Sequence, residues 1–196
     1  MAENTDISTL LTHKLDDDTY LKELELNSAN NLFNLINSNR DYLRTWLAWV
    51  EDTKHLDDTI NYIQSVLNRD MFSGRFVLEI KHKDNLAGVI DLHNGDKINM
   101  AVEIGYWLGE QYQGKGIMTK ACKCCIDYAF LDLEFNRIVI KCAAGNEKSK
   151  GIPKRLNFTF EGIEREGQNL NGKYTDLMVY SMLKREWLNP ISSISH

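Results

Sequence analysis

A chain of 196 residues with 43% hydrophobic and 26% charged residues can build one well-cored unit and is short for two. Its net charge of −5 argues against a general nucleic-acid binder, and no apolar run approaches the ~20 residues of a membrane helix. The acidic start, Met1-Ala2-Glu3-Asn4-Thr5-Asp6, lacks the basic and apolar stretches of a secretory signal, so a cytoplasmic protein is expected.

Residues 1–18 read as an N-terminal extension that either frays or lies against the body, with 19–196 as one domain. Residues 20–26 alternate enough for a first strand, against the poor β propensity of their Lys and Glu. Asn27 or Ser28 can cap a helix that carries Leu32, Phe33 and Ile36 on one face. Residues 39–50 hold Tyr42, Leu43, Trp46, Leu47, Trp49 and Val50, which reads first as a helix buried on a sheet. Asp57 or Asp58 can cap the next helix, with Ile60, Ile63 and Leu67 as its stripe. Residues 76–80 and 86–92 are strands joined by the hairpin His82-Lys83-Asp84-Asn85, and Asn94-Gly95-Asp96 is expected to turn into a central strand. A helix running to about Asp132 separates that strand from the one at 137–143, so the two should be parallel. A short helix follows Asn146, and Asn171-Gly172 is a type I′ signal for the last hairpin. The four cysteines, Cys122, Cys124, Cys125 and Cys142, fit neither a disulfide framework nor a metal site and read as free thiols of a reducing cytosol.

The most informative stretch is 102–129. Val102-Glu103-Ile104-Gly105-Tyr106-Trp107-Leu108 alternates like a strand, breaks at Gly109, and passes through Gln111-Tyr112-Gln113-Gly114-Lys115-Gly116 into a helical pattern. The first N–H groups of a helix lack partners and sit at the positive end of its dipole, so this junction is an anion cradle. Gly114 and Gly116 let the backbone take unusual dihedrals and let a ligand approach. The Walker pattern fails because Gly116 stands where Ser or Thr would hold Mg²⁺, and the dinucleotide fingerprint fails at Thr119.

Gln111-x-x-Gly114-x-Gly116 resembles the acetyl-CoA signature of the GCN5-related N-acetyltransferase (GNAT) superfamily. Glu103-Ile104-Gly105-Tyr106-Trp107-Leu108 before it, Asn136-Arg137 and Asn146-Glu147-Lys148-Ser149 after it, and Leu156-Asn157-Phe158 with Glu161-Gly162 are similar to the RimJ/RimL-type branch, which acetylates protein N-termini. The resemblance covers roughly residues 19–187. It implies an α/β fold of the GNAT type: a mixed, mostly antiparallel sheet with a splayed parallel central pair and helices on both faces. It favours the strand at 20–26. It also implies direct acetyl transfer from acetyl-CoA to an amine, with no metal.

On that resemblance the main chain of Gln113, Gly114, Lys115, Gly116, Ile117 and Met118 would hold the diphosphate. Lys115 either adds a charge or is a solvated loop lysine. Trp107 and Leu108 would offer main-chain groups to the pantetheine arm, their side chains reading as core, and the Leu108 amide would support the thioester oxygen. Asn146 would cap its helix and touch the cofactor arm. Ser149 would protonate the thiolate, because Pro153 holds the place of the tyrosine that many superfamily members use. A leaving thiol with a pKa of ~8.5 needs only a relayed proton. For the base, Glu103 is in phase with Gly105 and Trp107, while Glu110 and a bound water are its competitors. An α-amino group, with a reference pKa of ~7.7–8.0, makes modest demands on that base.

Three functions stay open: acetylation of a protein N-terminus, ribosomal proteins among them; acetylation of a small amine such as a polyamine or aminoglycoside; and a coenzyme A-binding module without catalysis. The aromatic segment at 39–50 would serve as the acceptor wall or as a surface for self-association.

Overall fold

The computed structural model describes residues 12–68, 72 and 74–189. Eight strands form one sheet: β1 (Thr12–Lys14), β2 (Thr19–Glu23), β3 (Arg75–His82), β4 (Asn85–Asp96), β5 (Ala101–Leu108), β6 (Arg137–Ala143), β7 (Thr159–Leu170) and β8 (Lys173–Leu183). Their order is β1-β2-β3-β4-β5-β6-β8-β7, and every neighbouring pair is antiparallel except β5 and β6. The mixed sheet with its parallel central pair is the one the sequence implied. Residues 1–11 lie outside the described residues. The described part of the expected extension joins the body, as β1 pairs with β2 through Thr12↔Lys22.

The helices are α1 (Ala29–Ser38), α2 (Arg40–Leu43), α3 (Leu56–Leu67), α4 (Ile117–Leu131), α5 (Glu147–Arg155) and α6 (Lys184–Leu188). Alternation along the strands sorts them onto two faces. Leu78, Ile80, Ile90, Leu92, Val102, Ile104, Ile138 and Ile140 pack with α4, whose buried stripe runs Ile117, Met118, Ala121, Cys122, Cys125, Ile126, Ala129 and Phe130. Val77, Val89 and Trp107, in the opposite phase, pack with Leu32, Leu35 and Ile36 of α1 and Ile63 and Val66 of α3. Each large side chain so buried contributes about 1.5–3 kcal/mol, so both faces hold the sheet firmly. The four thiols are free, and Cys122 and Cys125 are core residues whose thiols burial pushes well up.

Two-residue turns close the expected hairpins. Lys83 and Asp84 have φ of 50° and 62°, and Asn171 and Gly172 have 53° and 88°, the left-handed pair a type I′ turn needs. Other expectations need correction. Residues 39–50 are not one helix: α2 ends at Leu43, Leu47 is extended, and a 3₁₀ turn spans Ala48–Glu51. The Arg40 guanidinium causes the fold-back by donating to the carbonyls of Val50 and Thr53, both at 2.5 Å. Asp58 binds the N–H groups of Lys54 and His55 from inside α3, and the buried stripe there is Thr59, Ile63 and Val66, leaving Leu67 exposed. Asn94-Gly95-Asp96 stays in β4, and the turn comes later, where Asp96 Oδ1 accepts from the N–H groups of Ile98 and Asn99.

Candidate active site

The β5–β6 ladder is only three pairs long, ending at Glu103↔Val139. Beyond it β5 stays with β4 and β6 stays with β8, so the sheet splays open. Gly88 makes the β4 side of this opening tight: a Cβ there would meet the Trp107 carbonyl oxygen at 2.2 Å. The Gly109 N–H donates to the Ala87 carbonyl across the β4–β5 ladder. Peptide groups alternate direction along a strand, so those of Tyr106 and Leu108 face the splay instead.

A cleft of about 740 Å³ occupies the opening, walled by Tyr106, Trp107 and Leu108, by the start of α4, by α5, and by Tyr42, Leu43, Trp46 and Leu47. Thus the aromatic segment is a cleft wall. Trp46 closes against Gly145, where a Cβ would meet its ring at 3.5 Å, and Asn171 Nδ2 at the tip of the last hairpin donates to the Arg44 carbonyl at 2.9 Å.

At the cleft's other end, Gly114 and Gly116 have φ of 72° and 75°, and a Cβ on either would meet nothing within 4 Å. The first bond of α4 is Lys120 N–H to the Gly116 carbonyl. Among the described residues, the N–H groups of 114–119 therefore have no main-chain acceptor. Gln113 differs from the expectation, because its N–H already donates to the Glu110 carbonyl at 3.2 Å. Its side chain acts instead, reaching the Tyr42 hydroxyl and accepting from Lys148 Nζ at 2.7 Å. Lys115 is exposed, lies over the Tyr112 ring and is not in the cleft wall. Arg155 and Lys148 are the cations there, with Arg155 Nε 3.3 Å from Thr119 Oγ1. The sequence reading missed both. Arg155 comes from the last turn of α5, and only the packing of α5 beside α4 brings it to the cradle.

Asn146 is the N-cap of α5, its Oδ1 accepting from the Ser149 N–H at 3.0 Å. That bond turns the Ser149 side chain toward β5 and β6. Ser149 Oγ lies 3.2 Å from Cys142 Sγ and 3.4 Å from the Tyr106 hydroxyl, which itself donates to the Ser149 carbonyl at 3.0 Å. Burial pushes the Tyr106 phenol well up and the Cys142 thiol up, so both stay protonated beside Ser149. Tyr106 is a third missed residue. Its phase opposite to Glu103 and Trp107 was the available signal, since that phase aims it at α4 and α5.

Glu103, the last residue of the parallel ladder, lies outside the cleft wall. It pairs with Lys141 Nζ at 3.4 Å and faces His93 Nε2 at 3.8 Å. Glu110 borders the cleft, with its N–H bound to Asn39 Oδ1 at 2.8 Å. No cluster of three or more His, Cys, Asp or Glu side chains arranged for a metal occurs among the described residues.

An open groove leads from a helix-terminal cradle, flanked by two cations, past strand amides that face the splay to the half-buried Ser149 hydroxyl. That is a fit for a long diphosphate-bearing thioester. Residues 19–159 match the acetyltransferase (GNAT) domain family. The chain belongs to this family. GNAT enzymes take their acetyl group from acetyl-CoA without a metal, so the protein is an acetyl-CoA-dependent N-acetyltransferase. It is 38% identical over 182 residues (91% of this chain, 98% of the relative) to the Bacillus subtilis protein YdaF, for which a ribosomal N-acetyltransferase activity is proposed. It is 30% identical to the ribosomal-protein-serine acetyltransferase of Escherichia coli, covering 88% of this chain and 96% of that one. A structure of RimL, a ribosomal L7/L12 α-N-protein acetyltransferase, superposes with a TM-score of 0.84 at 26% identity, over 88% of this chain and 97% of that chain. That structure contains coenzyme A in a disulfide with a cysteine. A spermidine N(1)-acetyltransferase of Vibrio cholerae is 27% identical over 169 residues, 86% of this chain and 95% of that one. No helix among the described residues is long and apolar enough to cross a membrane.

Proposed function

We propose that this GNAT enzyme acetylates the α-amino group of a protein N-terminus, of the ribosomal-protein type, in the cytoplasm. The observation that carries the reading is Ser149, whose hydroxyl sits among protonated neighbours at the mouth of the splay. The 38% identity to YdaF and the 30% identity to the ribosomal-protein-serine acetyltransferase support this acceptor class, while RimL at 26% stands level with the spermidine enzyme at 27%.

Acetyl-CoA supplies the acetyl group as a thioester. The amides of Gly114, Lys115, Gly116, Ile117 and Met118, with Arg155 and Lys148 beside them, bind its diphosphate. Tyr106 and Leu108, whose peptide groups face the splay, guide its arm by their main chain, whereas the Trp107 groups face β4 and cannot take the part the resemblance implied. Asn146 adds a side-chain contact, and the Leu108 amide supports the carbonyl oxygen as negative charge grows there. Glu103, at the apex of the splay, takes a proton from the incoming ammonium directly or through one water. The amine nitrogen then bonds to the carbonyl carbon and the carbon–sulfur bond breaks. Ser149 hands a proton to the departing sulfur and regains one from the amine nitrogen.

A panel of N-terminal peptides, serine-starting ones included, is incubated with acetyl-CoA and read by thiol release and by mass. The proposal expects one acetyl added to the peptide α-amine. A second reading, a small polyamine as acceptor, draws on Asp91, Glu103 and Glu164 lying near one another beyond the cleft. Fast thiol release with spermidine and none with any peptide would put that reading first.

A further inference from the structure

His93 of β4 sits directly across the ladder from Glu103 of β5, on the sheet face away from α4. Its Nδ1 is 2.6 Å from Asp91 Oδ1 and its Nε2 is 3.8 Å from Glu103 Oε2. Gly105 makes the room, since a Cβ there would meet His93 Cε1 at 3.0 Å and the Asp91 oxygens at 3.1 and 3.2 Å. Each neighbouring element contributes a group. Arg75 of β3 is 3.4 Å from the other Asp91 oxygen, and Lys141 of β6 bridges Glu103 and Glu164 of β7. Tyr62 of α3 faces Asp91, and its hydroxyl is pushed up to about 12, mainly by burial and then by the Asp91 charge.

A nearly buried carboxylate this close to Nδ1 needs the imidazole hydrogen there, because an ionised carboxylate only accepts. That fixes the tautomer and leaves Nε2 as the nitrogen that gains and loses a proton, opposite Glu103. We propose that His93 is a positioning residue for deprotonation of the acceptor, receiving on Nε2 the proton that Glu103 removes from the ammonium. The inference rests on Glu103 as the base. In the step, an ammonium N–H bond breaks as the Glu103 O–H bond forms, then that O–H bond breaks as the His93 Nε2–H bond forms. The resulting imidazolium lies between the Asp91 and Glu103 carboxylates, with Arg75 and Lys141 on their far sides. The proton leaves to water after turnover, which matches the one proton released when an ammonium becomes an amide and the thiolate is protonated. The second amine proton is the one passed through Ser149.

The test uses His93→Gln, which keeps a donor toward Glu103, and His93→Asn, which keeps one toward Asp91; neither can titrate. The acceptor is whichever peptide or amine turns over fastest in the panel. Both variants should bind acetyl-CoA as the wild type does, keep the acceptor KM within about threefold, and lose roughly 10²-fold in kcat/KM at pH 7. The loss should shrink as pH rises past the acceptor's own pKa, ~7.7–8.0 for an α-amine, because a neutral amine needs no base. A loss independent of pH, or no loss, overturns the proposal. Nitrogen-15 imidazole spectra give an arm independent of activity: the wild type should show the Nδ1–H tautomer at His93, and an Nε2–H tautomer would refute it. Glu103→Gln separates the two readings. If it is as active as the wild type, the base assignment fails; if it is impaired while His93→Gln is not, only the His93 proposal fails.

Discussion

Ser149→Ala removes a single oxygen whose surroundings set the expected effect. The Ser149 N–H bond to Asn146 stays, so the start of α5 keeps its cap. What is lost are contacts at 3.2 and 3.4 Å to a thiol and a phenol, and the phenol retains its bond to the Ser149 carbonyl. A neutral hydrogen bond is worth about 0.5–1.5 kcal/mol net, and these are long ones, so stability should fall by less than about 1 kcal/mol. In a chain of this size about 1 kcal/mol corresponds to about 2–4 °C in Tm, so the shift should be smaller than that. The catalytic effect should be larger. General acids contribute about 10²–10⁴-fold, and a thiolate needs little help, which places the loss near 10²-fold, or about 2.7 kcal/mol of barrier. The assay is thiol release at saturating acetyl-CoA, with acetyl-CoA affinity measured separately by calorimetry. An unchanged kcat would remove Ser149 from the proton path. A fall in affinity matching the fall in kcat would make it a binding residue instead.

Gly88→Ala should drive β4 from β5, since its Cβ would press on the Trp107 carbonyl and on Leu108 Cα at 2.9 Å; a cost of about 3 kcal/mol and weaker acetyl-CoA binding, read by denaturation and calorimetry, are expected. Asn146→Ala should cost about 1 kcal/mol through the lost cap and also weaken acetyl-CoA binding, whereas a purely structural asparagine would leave affinity unchanged. The Lys120 ammonium, through its hydrogen bond, holds the Asp16 carboxyl down at about 2 and ties the β1–β2 connection to α4. Because this pKa is depressed, the pair stabilises fully above the ordinary carboxylate value of ~3.9 and progressively less as pH falls toward about 2. The pair is partly exposed, so Asp16→Asn should cost under about 1 kcal/mol at pH 7, and the gap from wild type should close near pH 2 in denaturant titrations.

Local signals told most of the fold. Asn171-Gly172 and the glycines before Ile117 dictate backbone conformation by themselves, and a helix between two strands dictates their parallel pairing. The cradle was legible for the same reason, being a strand end, two glycines and a helix start in one short stretch. What escaped depends on contacts distant in sequence. Residues 39–50 carry apolar side chains for both the core and the cleft, so no single period fits, and the Arg40 side chain decides where the chain turns back. Arg155 and Tyr106 reach the site only through the packing of α5 on its neighbours. The Asp91–His93–Glu103 row exists because of the β4–β5 register, and a shift of one residue would have sent His93 to the other face. Gln113 shows the limit of motif transfer, since an engaged N–H cannot be read from a consensus.

The central claim is that the unpaired amides after Gly114 grip the diphosphate of acetyl-CoA in the β5–β6 splay. Calorimetric titration tests it most directly, with acetyl-CoA and then ATP, on the wild type and on Gly116→Val. The account predicts saturable acetyl-CoA binding that the valine variant, strained at a φ of 75° and intruding on the ligand, weakens at least about tenfold. No heat with acetyl-CoA, while ATP binds well, would contradict it.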